Sequence, residues 1–475
     1  GYLMLKELEK NAKHRARTVG FVDDRRKNNI ISGKRVLGTT EQIPSLIRKH
    51  RIKKVFIAMP SAAKEEIRRI VGICQGCSVE TKIMQQSEFT ALGQDRSEEG
   101  YPIMPVSIYD LLGRGEIDLN VEEISSYLTA RTVLVTGAGG SIGSALCKQI
   151  VRFRPQKLVL FDFYENNMYS LEQELAIAKL HGFISPDLEI VSEVGSVREK
   201  DLLLSVFMQH KPNVVFHAAA HKHVPLMEHS PREAIKNNVF GTKNVIEASL
   251  EAGSERFILI STDKAVKPAN VMGASKRMGE LVMQSFAATS AMSMAAVRFG
   301  NVLGSSGSVI PLFEKQIAQG GPLTLTHRDV ERYFMTIPEA AQLVMQAGSF
   351  AAHGEIFVLD MGEPVRILDL AEKMIRLSGY VPYDEIDIVE IGLRPGEKMH
   401  EELSLFEEDL IPTSNKAIHA AQPVLLPEGL LEESLNELSS LLRSGALNEE
   451  LRNALLAMAN GTPAGARGGK PANWS

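Results

Sequence analysis

Residues 136–143 read TGAGGSIG, three glycines in GxxGxxG spacing between an apolar run at 133–136 and a helical stretch. A strand, a tight turn and a helix in that order let backbone approach a pyrophosphate whose charge faces the helix N-terminus. Such a turn belongs at the carboxyl edge of a parallel sheet. Further apolar runs at 158–161, 188–191, 214–217, 257–261 and 294–299 are separated by long helical stretches. The alternation predicts an α/β fold with a doubly wound, Rossmann-type parallel sheet. Asp162 closes the second run, where a carboxylate would accept both ribose hydroxyls and repel a 2'-phosphate, favouring NAD over NADP.

A length of 475 residues points to two or three domains. Hydrophobic residues make up 44% and charged residues 23%, and no uninterrupted apolar run approaches the roughly 18 residues of a membrane span. Cys74, Cys77 and Cys147 are too few for a disulfide framework, which favours a reducing compartment. The net charge of -5 hides fifteen Lys or Arg against five Asp or Glu in residues 1–54. That segment suits a solvated basic face or the surface of an anionic membrane; no nucleic-acid partner is expected.

Short apolar runs at 18–22, 54–58 and 79–83 alternate with helical stretches at 41–50 and 64–75, so residues 1–125 read as a second, degenerate Rossmann-like domain. Gly1 reads as the last glycine of a phosphate-loop turn whose strand lies upstream. Residues 126–405 form the main domain, which becomes irregular after Asn301, as expected of a small substrate lobe. Residues 406–460 form a helical segment, and 461–475 lack the apolar residues to pack and are expected to be disordered.

HAAAHKHV at 217–224 follows the fourth run of the main domain and offers small residues, Ala218 and Ala219, where a nicotinamide half would cross the sheet edge. His217, His221, His223 and His229 invite a zinc reading, but no carboxylate or cysteine completes a set, and no metal is expected. STDKAVKPANVMGASK at 261–276 places Thr262, Asp263 and Lys264 at the end of the fifth run, with Lys276 one helical turn beyond Met272 on the same face. Oxidoreductases of this pattern normally carry tyrosine at position 272, and a thioether neither takes nor gives a proton. Lys276 can hydrogen-bond the nicotinamide ribose and hold positive charge beside a reacting hydroxyl.

From about 131 to 403 the chain closely resembles the extended short-chain dehydrogenase/reductases acting on nucleotide sugars, specifically the long, membrane-associated UDP-N-acetylglucosamine 4,6-dehydratases of bacterial capsule, O-antigen and glycan synthesis. The resemblance rests on TGAGGSIG, HAAAHKHVPLMEHSP, NNVFGTKN, STDKAVKPANVMGASK, RFGNVLGSSGSVIP and LRPGEKMHEEL. In that group methionine replaces the usual tyrosine, so Met272 fits it. The resemblance implies NAD held by Gly137, Gly140, Ser141, Ile142, Gly143, Asp162, Ala218, Ala219 and Lys276. It implies a UDP-sugar diphosphate held by Asn301 and the 305–309 loop, including Ser308 and Val309, with His223 among the substrate contacts. Arg332 and Arg394 would pair with phosphate oxygens, which suits the guanidinium fork, and Glu397 would accept uridine ribose hydroxyls. Two departures are Ser196, where relatives commonly place an aspartate near the adenine, and His221, where an aromatic residue is common. The resemblance also implies membrane helices upstream of Gly1, a place at the cytoplasmic face of the bacterial inner membrane, and a homo-oligomer.

The reaction implied is oxidation at carbon 4, loss of the carbon-5 proton and of water from carbon 6, and return of the hydride to carbon 6, leaving the cofactor unchanged. Adjacent Asp263 and Lys264 supply an acid for the departing hydroxyl and a base for carbon 5. The base role requires burial to lower the lysine pKa. Thr262 through a water, Asp263 or Lys276 would receive the carbon-4 hydroxyl proton. A UDP-sugar 4-epimerase and a non-catalytic NAD-binding scaffold are the alternatives; inversion at carbon 4 needs no acid-base pair at carbon 6.

Overall fold

The structure is a computed structural model describing residues 4–5, 17–26, 29–59, 62, 64–77, 79–84, 103–106, 108, 118–402, 410–421 and 429–461. The expectations for Gly1 and for the tail beyond 461 lie outside the described residues. The chain divides into two compact units: Gly1–Glu116 with Val309–Leu325 and Ile367–Glu390, and Ile117–Ser308 with Thr326–Arg366 and Ile391–Ser475. The first break precedes the boundary expected at 125, and two stretches expected in the main domain group with the first unit.

In the first unit, Phe21–Val22 pairs in parallel with Lys34–Gly38, which also pairs antiparallel with Ile30–Ile31. Lys54–Ile57 pairs in parallel with Glu80–Met84, whose other edge takes Ile103–Pro105 antiparallel. The helices Ile43–His50 and Lys64–Gln75 fall where their periodicity places them. Their apolar stripes contribute Ile43, Ile70, Val71 and Cys74 to one core with Ile57 and Ile83. Leu323–Leu325 and Ile388–Glu390 form a separate parallel pair in this unit.

The second unit is built on one nine-stranded sheet. Its strands in chain order are β1 Thr132–Thr136, β2 Lys157–Asp162, β3 Glu189–Val194, β4 Val214–His217, β5 Arg256–Ile260, β6 Ser293–Arg298, β7 His353–Leu359, β8 Ile411–Pro412 and β9 Ile418–Ala421. They lie in the order β3-β2-β1-β4-β5-β6-β7-β9-β8. All neighbours from β3 through β7 run parallel, and β9 and β8 are antiparallel additions at the far edge. The order reverses at β1, so a crevice opens between the carboxyl ends of β1 and β4, where ligands of such sheets bind. Strands covered on both faces read as continuous apolar runs. Accordingly Val133, Leu134, Val135, Val215, Phe216, Phe257, Ile258 and Leu259 are fully buried. Each large side chain among them stabilises by about 1.5–3 kcal/mol.

The flanking helices are α1 Ser141–Ile150, α2 Glu165–Leu180, α3 Lys200–His210, α4 Gly241–Glu251, α5 Val271–Thr289 and α6 Ile337–Phe350, followed by α7 Leu430–Ser444 and α8 Asn448–Ala459. α5 is hidden on nearly every side through its first fourteen residues, which explains its alternation of Met, Gly, Ala and Ser. Leu438, Leu451 and Leu455 from the last two helices enter the same core as Met272 and Met278. Among the described residues, no helix is long and apolar enough to cross a membrane.

Candidate active site

β1 delivers the glycine loop. Gly137 has φ +68°, and a Cβ there would lie 2.5 Å from the Ala219 nitrogen, so only glycine lets β1 and the Ala218–Ala219 turn approach this closely. α1 starts at Ser141, and its first-turn N–H groups have no intrahelical acceptors, as anion binding requires. Asp162 is 8% exposed at the end of β2. Its Oδ2 accepts from the Gly139 N–H at 3.0 Å and its Oδ1 from the Tyr164 N–H at 2.9 Å. Two fixed donors orient the carboxylate and leave lone pairs for further hydroxyls. The cradle and the acidic residue together fit a dinucleotide without a 2'-phosphate.

His217 is fully buried at the end of β4. Thr242 donates its hydroxyl proton to the Asn238 carbonyl at 2.7 Å, so it must accept from His217 Nε2 at 3.0 Å, and His217 Nδ1 accepts from Thr136 Oγ1 at 2.7 Å. Burial, aided by the Lys276 charge, pushes the imidazole pKa down to about 3, so the ring is neutral and structural. Asn238 clamps the turn that follows: it accepts from the His221 N–H at 2.8 Å and donates to the His221 carbonyl at 2.9 Å and to Ser275 Oγ at 2.9 Å. His223 is exposed and packs against Gly307.

α5 positions the lysine. Asn270 caps it by accepting from the Gly273 N–H at 2.8 Å and donates to the Gly396 carbonyl at 3.0 Å. A Cβ at Gly273 would sit 2.1 Å from the Lys264 carbonyl, so the turn carrying Asp263 and Lys264 rests directly on the helix. Met272 is 3% exposed and belongs to the core. Lys276 is buried and makes no hydrogen bond or ion pair among the described residues. Burial lowers its pKa to about 8, against the opposing pull of Glu280. Glu280 is wholly buried and satisfied by Arg298 Nε at 2.7 Å, Arg277 Nη1 at 3.0 Å and the Ser261 hydroxyl at 2.6 Å. Burial works to raise its pKa, but the two arginines and Ser261 prevail and hold it at about 2.

Thr262, Asp263 and Lys264 form one hydrogen-bonded group at the end of β5. Asp263 Oδ1 accepts from Thr262 Oγ1 at 2.7 Å, the Lys264 N–H at 2.9 Å and Lys264 Nζ at 3.0 Å. Lys264 Nζ also donates to Asn301 Oδ1 at 3.2 Å, which uses the asparagine as a lysine partner and leaves its amide NH2 for a ligand. A further carboxylate, Glu401, lies 3.6 Å from Lys264 Nζ. Burial works to lower the lysine pKa, yet Asp263 and Glu401 outweigh it and the net direction is upward. The lowering that a resting base requires is not found, because the ammonium is paired with carboxylates. No resemblance pointed to Glu401; the only signal was its place in LRPGEKMHEEL.

Arg332 is turned inward rather than toward an open phosphate cradle. Its Nη1 donates to the Glu331 and Met399 carbonyls at 2.7 and 3.0 Å, and its Nη2 to the Lys398 carbonyl at 2.7 Å and Glu397 Oε1 at 3.3 Å. It thus fastens the segment that follows Arg394. Glu397 also accepts from Thr326 Oγ1 at 3.0 Å and from the Arg394 N–H at 3.3 Å. The Arg394 side chain is exposed and remains available to phosphate. The Ser306 N–H donates to Ser141 Oγ at 3.2 Å, tying the 305–308 loop to the first residue of α1. Ser308 Oγ is buried with no hydrogen-bond partner among the described residues. Val309 opens the helix Val309–Ala318, which groups with the first unit.

Residues 133–423 match the polysaccharide biosynthesis protein family, to which the chain belongs, and residues 2–84 match a CoA-binding domain. The family comprises nucleotide-sugar dehydratases and epimerases. The capsular polysaccharide biosynthesis protein CapD of Staphylococcus aureus is 49% identical over 407 residues, 85% of this chain and 66% of that protein. The chain therefore spans about two thirds of that relative. An inverting UDP-N-acetylglucosamine 4,6-dehydratase of Campylobacter jejuni (serotype O:23/36) is 33% identical over 57% of this chain and 76% of its own length, and relatives named UDP-glucose 4-epimerase match at similar identity. The solved structure of Pen from Bacillus thuringiensis superposes with a TM-score of 0.56 at 31% identity, covering 63% of this chain and 89% of that one.

Proposed function

We propose that the protein is an NAD-dependent 4,6-dehydratase that converts UDP-N-acetylglucosamine to a UDP-4-keto-6-deoxy sugar for bacterial surface polysaccharide synthesis. The observation that carries this reading is the hydrogen-bonded Thr262–Asp263–Lys264 group, with Asp263 buried and its neighbours half-buried, at the carboxyl edge of β5, two strands from the glycine loop. An acid and a base in contact are what loss of water across carbons 5 and 6 demands, and an epimerase has no use for them. Bound at the glycine loop and Asp162, NAD would supply reversible hydride storage.

Around it, the chain's own residues do the rest. Lys264 takes the carbon-5 proton, and Asp263 delivers one to the departing carbon-6 hydroxyl. Lys276, unpartnered and with its proton loosened, supports the carbon-4 hydroxyl and can accept its proton. Arg394, the Asn301 amide and Ser308 hold the diphosphate, and Glu397 meets the uridine ribose. The setting that fits this reading is the cytoplasmic face of the inner membrane, with the basic 1–54 segment toward anionic lipid.

Proton NMR of the purified protein with UDP-N-acetylglucosamine in deuterated water tests the reading. A new 6-deoxy methyl signal with deuterium at carbon 5 is expected; a galacto-configured product would establish the epimerase instead. Met272→Tyr is expected to bring no gain in turnover. The position is packed in the core, and the larger ring costs about 1–3 kcal/mol of stability. A large rise in rate would show that the missing hydroxyl limits the enzyme.

A further inference from the structure

Glu401 is a buried ionisable group beside the proposed acid and base that the chemistry has not used. Its side chain is 4% exposed, with Oε1 3.6 Å from Lys264 Nζ and 4.0 Å from Arg332 Nε. Its Oε2 is buried without any hydrogen-bond partner. A carboxylate left half-satisfied costs about 1–3 kcal/mol or more, so its retention beside a lysine asks for a reason. Arg332 gives Glu401 little relief, because its Nη atoms are directed to the Glu331, Lys398 and Met399 carbonyls and to Glu397.

Lys264 meanwhile presents a difficulty. Paired with Asp263 at 3.0 Å it rests as an ammonium, which has no lone pair for the carbon-5 proton. We propose, on the dehydratase reading above, that Glu401 is a positioning residue that accepts a proton from Lys264 and so creates the neutral amine that takes the carbon-5 proton. One Lys264 N–H bond breaks and a Glu401 O–H bond forms, turning ammonium and carboxylate into amine and carboxylic acid with no change in the charge of the cluster. The amine takes the carbon-5 proton, and the C–H electron pair passes into the enolate of the 4-ketone. Lys264 then gives a proton to Asp263 along their hydrogen bond, Asp263 gives it to the carbon-6 hydroxyl, and water departs. Glu401 returns its proton to Lys264. When carbon 6 of the resulting 5,6-alkene receives hydride, a Lys264 N–H proton passes to carbon 5. Solvent replaces it on the amine, restoring the starting state with a solvent-derived proton at carbon 5.

The charged groups facing Glu401 are Lys264, Asp263, Arg332 and Lys398. Burial and the Asp263 charge favour its neutral form, while Lys264, Arg332 and Lys398 oppose, and the net direction is upward. The Lys264 pKa is also raised, which is not the behaviour of an isolated ion pair. Asp263, at 3.0 Å against 3.6 Å, is the lysine's true counter-ion, and Glu401 is the third group able to hold a proton.

The test compares Glu401→Gln and Glu401→Asp with the unaltered full chain, reading methyl formation and carbon-5 deuterium uptake from UDP-N-acetylglucosamine between pH 6 and 10. Glutamine keeps the shape and removes the proton-holding capacity. It is expected to lower kcat about 100-fold near pH 7, within the range of one general acid-base contribution, with KM changed less than about twofold. The loss should shrink as pH rises and solvent strips the lysine proton directly, and Glu401→Asp should recover part of the rate. Equal kcat for Glu401→Gln at every pH, or a loss independent of pH with a raised KM or lowered Tm, overturns the relay. An unaltered protein that places no deuterium at carbon 5 overturns the dehydratase reading and the relay with it.

Discussion

Asp263→Asn is expected to cut turnover of UDP-N-acetylglucosamine by about 10²–10⁴-fold while leaving the fold intact. The amide oxygen of asparagine can still accept from Thr262 and from the Lys264 N–H, so the turn keeps its shape. What disappears is the acid for the carbon-6 hydroxyl and the charge that holds Lys264 as an ammonium. The lysine pKa therefore falls, and the residual rate should acquire a pH limb lower than that of the parent. Lys264→Ala is expected to be at least as damaging, and to abolish deuterium uptake at carbon 5. Circular dichroism and kcat measured across pH on both variants check this; near-normal turnover in both would remove these residues from the chemistry.

Arg298→Met is expected to destabilise the second unit by about 3–5 kcal/mol, the cost of stripping the partner from a buried charge. Arg298 and Glu280 are 1% and 0% exposed, and the arginine reaches both carboxylate oxygens, at 2.7 and 2.8 Å. Methionine fills the volume but leaves Arg277 and Ser261 to hold the charge. The pH dependence has a definite sign. Glu280 is held at about 2 in the folded protein, below its unfolded value of about 4.3, so its stabilisation is complete above the unfolded value and fades as pH falls toward 2. The gap between parent and variant, measured by urea unfolding, should be widest at neutral pH and narrow below about pH 4. A gap that stays constant down to pH 3 would mean that the arginine contributes by packing alone.

Much of the second unit was legible because it is regular. The six runs read as strands all became strands, within a residue or two at most ends, since continuous apolar runs bounded by turns carry their own signal. β7 escaped because HGEIFVL follows GSFAA without a clear turn, and β8 and β9 are held by pairing rather than pattern. The glycine loop, Asp162 and the Thr262–Lys264 turn could be placed because each has a fixed offset from a strand end. Arg332 and Glu401 could not. Whether an arginine points at phosphate or at its own backbone, and whether a lysine is lowered by burial or raised by carboxylates, depends on residues far along the chain: Glu397, Lys398 and Met399 for Arg332, and Glu401 for Lys264. Glu280 was overlooked because its partners meet it only once the helix is laid on the sheet: Ser261 follows β5 and Arg298 ends β6.

The start of α5 is tied to the far end of the chain. Glu228 accepts from the Val271 N–H at 2.6 Å through one oxygen and from Arg452 Nε at 2.8 Å through the other, while Asn460 donates to the Pro268 carbonyl at 3.1 Å. The helix that carries Lys276 is thus moored by residues far along the chain, Arg452 and Asn460. A nascent or proteolytically clipped chain ending before residue 448 would already hold every site residue named above, yet lack the mooring. Such a chain is expected to hold the start of α5 more loosely, which makes the two helices that follow the sheet a clamp on the site rather than an appendage.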